Sequence, residues 1–386
     1  MVRTTKTHCH EPEAEEMIRR EVIEQMKKRV VEEPEKSTLG VYREVLNSSV
    51  AELRGSHDDG ELGVALPSFD SVSSILHRSR ENVRPPLPET RREIDLTDTW
   101  TRTRAGGVFL QIDDVSEDAA VDDRMLGFAS DPAFEALCSV QTVFMDGTFR
   151  IVPHLFSQLY TLHGLVGGQM IPLAYFLLPD KNRVTYIRMF NLLRRHATSK
   201  QLTFSPARFQ LDFEPAALKA IVEVFPQAEV KGCNFHFGQC LWRKVQGVGL
   251  QRFYSQPGIK KTVRSIAALA FVPENDIDEA WQAIEAESPR AGSEGFEELE
   301  VFKQYFVTNW LENATLHPRR LWNHFRNYNV RTTNHLEAWH RAVNHLVGRA
   351  HVNISEVIKH LQAQEALYSD KMLLHAGQAP LRHSSA

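Results

Sequence analysis

VQTVFMDGTFRIVPHLFSQLYTLHGLVGGQMIPLAYFLL, residues 140–178, is the stretch on which the reading of the fold turns. It contains three apolar runs, Val140 to Phe149, Leu155 to Val166 and Gln169 to Leu178, each of strand length. The connections between them are short, so the three are expected to pair as antiparallel neighbours. Outward from there the period changes. Val184 to His196 reads as a helix, Ala207 to Asp212 as a strand, Pro215 to Phe225 as a helix and Glu229 to Phe235 as a strand. Pro215 sits where a first helical turn accepts proline.

Three strands followed by helix–strand–helix–strand is the order of an α/β, ribonuclease-H-like mixed sheet. Further along, residues 237–312 carry helical patterning broken by Pro257, Pro273 and Pro289, with no good strand. Two helices close the chain, His335 to Val347 and Ile354 to Leu374. Asn334 with Glu337, and Asn353 with Glu356, have the spacing of an N-cap and its N3 acid. Upstream, residues 11–34 read as a polar helix and Gly55 to Asp70 as a linker. Pro-rich residues 80–104 read as extended, and Gly107 to Ile112 as a short strand. The expected organisation is a helical and linker region at 13–105, a first core segment at 106–236 and an all-helical insertion at 237–312. C-terminal helices at 313–375 would complete the core, leaving a tail at 376–386.

With 42% hydrophobic and 24% charged residues, most of the 386-residue chain can bury a core. The longest apolar run, Met170 to Leu178, is too short to cross a membrane. The first ten residues have no apolar core and are not read as a secretory signal. Four cysteines form no disulfide framework and suit a reducing compartment. The net charge of −4 excludes a chain that is basic throughout, but the charge is uneven. From Ala314 onward nine Arg/Lys face four Asp/Glu, whereas Arg91 to Glu135 holds eleven acids against five bases. A local basic surface for nucleic acid is compatible with that pattern, and so is an unevenly charged solvated surface.

Three acids stand at element ends. Asp146 lies near the end of the first core strand, Asp212 at the end of the fourth, and Glu337 at the start of a C-terminal helix. Three carboxylates at one sheet edge can hold two Mg²⁺ or Mn²⁺ ions about 3.5–4 Å apart for phosphodiester chemistry. Each acid also has a purely structural explanation. Asp146 before Gly147 suits a turn, Asp212 can cap the next helix, and Glu337 can pair with Asn334 and Arg341.

The motifs around these acids carry a resemblance. Phe144-Met145-Asp146-Gly147-Thr148-Phe149, then Asp212-Phe213-Glu214 with Ala220-Ile221 and Phe225-Pro226, resemble the first two acidic blocks of Mutator-like (MULE) transposases. Gly232-Cys233-Asn234-Phe235-His236 resembles that family's Cys-x-x-His motif. Arg331-Thr332-Thr333-Asn334-His335-Leu336-Glu337-Ala338-Trp339-His340 resembles the block that supplies its third acid. The resemblance spans about residues 107–365 and implies a ribonuclease-H-like fold with a helical insertion before the last acid. It implies Asp146, Asp212 and Glu337 as catalytic metal ligands, with DNA cut at terminal inverted repeats and joined to target DNA. A homo-oligomer assembled on DNA, and a nuclear location, go with that expectation. The alternative is a transposase-derived DNA-binding or regulatory protein without catalysis.

At the N-terminus, residues 1–12 include His8-Cys9-His10, which resembles the closing ligands of a FLYWCH or WRKY-like zinc finger. His8 and His10 are at most half of a four-ligand Zn²⁺ site. Cys233 and His236, with Cys240 nearby, are either soft metal ligands or a buried cysteine beside a hydrogen-bonded histidine. Arg243, Lys244 and Arg341 are candidates for phosphate contact, or solvated surface charge.

Overall fold

The protein is described as a computed structural model over residues 14–33, 36–81, 88–118, 120–327, 330–347 and 352–376. His8 and His10 fall outside the described residues. Two units divide the chain, Met1–Pro88 and Glu89–Ala386.

The first unit is helical: α1 (Ala14–Glu32), α2 (Thr38–Leu53), α3 (Asp59–Ala65) and α4 (Phe69–Glu81). Val22, Met26 and Val30 recur at i, i+4 and i+8 on α1 and pack with Val41, Val45, Val72 and Leu76. The expected linker at Gly55 to Asp70 is corrected here, because α3 forms inside it. Asp58 accepts from the backbone N–H groups of Gly60 and Glu61, and Glu61 reaches back to the Asp58 N–H, a closed capping box. Leu62 and Ala65 are buried, which gives this short Gly-rich helix an apolar face.

The second unit opens with a helical turn, α5 (Asp98–Thr101), inside the stretch expected to be extended. Its sheet contains β1 (Leu110–Asp114), β2 (Met125–Phe128), β3 (Thr142–Thr148), β4 (Gln158–Val166), β5 (Gln169–Leu178), β6 (Arg208–Leu211) and β7 (Glu229–Gly232). The helices among them are α6 (Asp131–Ser139), α7 (Arg183–Ser199) and α8 (Pro215–Val224). The seven strands lie in the order β1-β2-β5-β4-β3-β6-β7. Pairings are antiparallel from β1 to β3 across that order, then parallel for β3–β6 and β6–β7. The fold is therefore α/β with a mixed sheet. Neither β2 nor α6 is expected from the apolar pattern, since β2 is only four residues long and α6 begins Asp-Pro in a polar stretch.

After β7 come α9 (Asn234–Gly247), α10 (Pro257–Ala268), α11 (Ile277–Glu287), α12 (Phe296–Phe306) with a π-turn at Val307–Leu311, and α13 (Arg319–Trp322). They enclose a core of their own around Phe237, Leu241, Phe302, Phe306, Trp310 and Trp322. Last are α14 (Asn334–Val347) and α15 (Ile354–Ala376). Asn353 accepts from the Glu356 N–H at 2.8 Å, as its spacing predicts.

Side chains alternate across a strand, and the alternation sorts the sheet into two faces. Val143 and Met145 join Tyr160, Leu162 and Phe176 in a core with α6, α7 and α8. Leu159, Tyr175 and Leu177 pack with Trp339 and Val343 of α14 and with Val357, Ile358 and Leu361 of α15. Helices thus cover both faces, and the acids of β3 and β6 can be assigned to a face by parity alone.

Candidate active site

Because Val143 and Met145 point to one face, Asp146 points to the other, toward α14. The same parity holds on β6. Phe209 and Leu211 enter the α7–α8 core, so Gln210 and the following Asp212 turn toward the α14 face. β3 and β6 pair in parallel with Thr142 opposite Arg208, Val143 opposite Phe209 and Phe144 opposite Gln210. Two residues beyond that last pair on each strand stand Asp146 and Asp212. The register therefore sets the two carboxylates side by side at the ends of adjacent strands.

Their electrostatics show the same juxtaposition. Burial, and then the charge of Asp146, push the Asp212 carboxyl above the usual aspartate range, against the opposing pull of His236. Glu214 is also pushed up, first by burial and then by Asp212, although a hydrogen bond from the Tyr186 hydroxyl at 2.8 Å opposes the shift. Tyr186 in turn accepts from Gln158 Nε2 at 2.6 Å. Both carboxyls are hard oxygen donors whose charged form is costly here, and a divalent cation beside them would lower that cost.

Each outer acid faces a histidine. His340 Nδ1 lies 3.2 Å from Asp146 Oδ2. The other ring nitrogen of His340 is 3.2 Å from Thr161 Oγ1, directly across the β3–β4 pair from Asp146. Thr161 donates to the Asp146 carbonyl and contacts His163 Nε2 at 3.1 Å. His163 is held neutral by burial. His236 Nε2 lies 3.2 Å from Glu337 Oε1. Asn334 is the first residue of α14, so its expected capping of Glu337 is displaced by one position. The Glu337 N–H instead bonds the Thr333 carbonyl at 3.1 Å. Arg341 stands 4.0 Å from Glu337, at the edge of ion-pair range.

The structural explanations for Asp146 and Asp212 also find a place. Gly147 N–H donates to Asp146 Oδ1 at 2.9 Å, and Glu214 N–H donates to Asp212 Oδ1 at 3.3 Å. One carboxylate oxygen of each is used locally, while the acids still face each other. Among the described residues no three or more His, Cys, Asp and Glu side chains are drawn together as in a formed metal centre. Asp146 and Asp212 offer hard oxygen donors at one sheet edge, and Glu337 stands in contact with His236.

Cys233 ends β7's run and is fully buried. Its sulfur accepts from both the N–H and the hydroxyl of Thr333, each at 3.2 Å. Asn234 N–H donates to the Arg331 carbonyl at 3.0 Å. Burial alone would raise the Cys233 thiol, but the neighbouring His236 and the hydrogen bonds from Thr333 outweigh it and hold the thiol below its ordinary value. The Cys-x-x-His pair thus fastens the approach to α14, four residues before Glu337. Cys240 is partly buried, with burial raising its thiol. Lys244 Nζ rests 5.1 Å from the Tyr305 ring centroid and Arg243 is exposed on α9.

Burial works against the charged form of His236, yet the neighbouring Cys233, followed by Asp212 and Asp146, raises it to about 9. A histidine raised above its unfolded value of 6.5 stabilises the fold fully below that pH and loses the contribution as pH rises through about 9. In the metal-free protein, an NMR titration of the His236 ring should therefore have its midpoint far above 6.5. A midpoint at or below 6.5 would remove the ionic pairing with Cys233 and the acids.

Sequence reasoning missed His340, Thr161 and Glu214. For His340 the available signal was its i+3 spacing from Glu337, which puts both on one helix face.

No curated protein matches the chain. Residues 142–239, which run from the first residue of β3 into α9 and include Asp146, Asp212, Cys233 and His236, match the family model described as the MULE transposase domain. Over that quarter of its length, the chain is similar to the MULE transposase domain.

Proposed function

We propose that this protein is a Mutator-like DNA transposase, cutting phosphodiester bonds at transposon ends and joining 3′-hydroxyls to target DNA. The observation that carries the reading is the pair Asp146 and Asp212, set side by side by strand register inside the matched segment, with Glu337 arriving from α14. The inner strand order β5-β4-β3-β6-β7, three antiparallel strands and then two parallel ones, supports a ribonuclease-H-like core. The helical run α9–α13 before Glu337 supports an insertion between the second and third acids.

In this reading Asp146, Asp212 and Glu337 hold Mg²⁺ or Mn²⁺. The chemistry such a pair supplies when bound is activation of a water or 3′-hydroxyl and offset of charge on the leaving oxygen. The chain's own residues do the positioning. Thr161 orients His340, and His340 steadies Asp146. Cys233 and Thr333 fix the start of α14, and His236 steers Glu337. Partners would be terminal inverted repeats and target DNA, with a homo-oligomer on DNA in the nucleus. Zn²⁺ at His8 and His10 would need further ligands.

The carboxylate–histidine pairing favours a second reading, a transposase-derived DNA-binding protein in which imidazoles occupy the acids permanently. The test is cleavage of end-labelled duplex carrying the flanking repeat, in Mg²⁺ or Mn²⁺ against EDTA. Strand cleavage that requires the divalent ion is the expected result. Binding without cleavage in any divalent ion would overturn the first reading in favour of the second.

A further inference from the structure

An open cleft of about 290 Å³ is lined by Arg150, Arg341, Asn344 and His345. Arg150 is four residues past Asp146, just beyond the end of β3. Arg341, Asn344 and His345 occupy the face of α14 that continues from Glu337 and His340, since 341 and 345 follow 337, and 344 follows 340, in steps of four. The cleft thus shares α14 with Glu337 and His340, and Arg341 links the two through its 4.0 Å contact with Glu337.

Its chemistry differs sharply from that of the acids. No carboxylate lines it. Among the described residues no acid lies within ion-pair distance of Arg150. Arg341 is 73% exposed and touches Glu337 only at 4.0 Å. Two exposed guanidinium forks and an imidazole around an open volume form a receptor for planar, multidentate anions. Phosphate fits that description, and the cleft is open enough to admit a phosphodiester strand.

We propose that Arg150, Arg341, Asn344 and His345 seat the sugar–phosphate backbone of a DNA strand next to the scissile position, delivering it to Asp146 and Glu337. The inference rests on the DNA-processing reading above, and it names the side from which the strand enters. The acids repel a polyanion and the cleft attracts it, so the strand is held at the boundary between them. Arg341 lies at that boundary, one helical turn from Glu337.

The experiment is fluorescence anisotropy on the full chain with a labelled 20-base-pair duplex and the matching single strand, in EDTA so that no cutting intervenes. Arg150→Ala and Arg341→Ala should each weaken binding about tenfold at low salt. The double variant should also reduce the slope of log affinity against log salt by about two for duplex. Lysine at both positions should keep the slope while recovering only part of the affinity, because the fork geometry is lost. Circular dichroism checks that the variants fold. Inorganic phosphate at millimolar concentration should compete only weakly, whereas a site for free phosphate would be saturated by it. Wild-type affinity and slope in the double variant, or phosphate binding as tight as DNA, would overturn the proposal. Failure here is separable from failure of the transposase reading. Binding that depends on both arginines without metal-dependent cutting keeps the cleft and sinks the enzyme. Cutting with arginine-independent binding does the reverse.

Discussion

Asp146→Asn reduces divalent-dependent strand cleavage by at least about a thousandfold, equivalent to roughly 4 kcal/mol of transition-state stabilisation, and changes DNA affinity by no more than about twofold. The amide keeps the shape of the side chain and can still accept from His340 Nδ1, 3.2 Å away in the wild type, so the local fold persists. What it removes is a negative charge at a place where cations would need anionic ligands to offset their mutual repulsion. A second readout comes from its neighbour. Asp146 is the charge that, after burial, raises the Asp212 carboxyl, so Asp212 should titrate at lower pH in the variant. Cleavage at the wild-type rate, or an unmoved Asp212, would break the link between these two acids.

Trp322→Ala should cost about 3–5 kcal/mol of stability in urea unfolding. The indole is fully buried and lies parallel to the Phe237 ring, with centroids 5.4 Å apart and planes 5° from parallel. Phe306 meets it edge-on at 6.1 Å, and its N–H donates to the Trp310 carbonyl at 3.1 Å. Alanine would leave a void between two aromatic rings and an unpaired carbonyl, and close packing gives the surroundings little room to collapse. A loss under about 1 kcal/mol would mean that this helical core tolerates rearrangement far better than its ring geometry implies.

The two predictions draw on parts of the molecule that were legible to different degrees. β3, β4 and β5 could be read because seven to ten residues of apolar run leave little choice of element. Asp146 and Asp212 could be located because they end strands whose order follows from short connections. β2 was not legible, since four residues set among acids carry no period. α3 was obscured by its glycines, and only the cap at Asp58 explains why a helix starts there. The partners of the acids were hidden for a different reason. His340 meets Asp146, and Thr333 meets Cys233, across separations in sequence at which local periodicity has nothing to say. Parity along β3 and β6 gives the face of each acid, but the identity of what covers that face depends on where α14 docks.

The ends of the long helical excursion are pinned together. Asn234 bonds the Arg331 carbonyl, Thr333 bonds Cys233, His324 bonds the Gly232 carbonyl, and Lys231 bonds the carbonyls of Arg320 and Asn323. A segment whose entrance and exit are stitched to the same strand end behaves as a detachable module. The cost of closing a chain grows only with the logarithm of its length, so cutting the excursion about eightfold would change that cost by only about 2 kcal/mol. Lineages could lengthen, trim or replace the module while Glu337 stays anchored to the sheet. The same stitching gives a protein engineer a place to graft a foreign domain without redrawing the acidic edge.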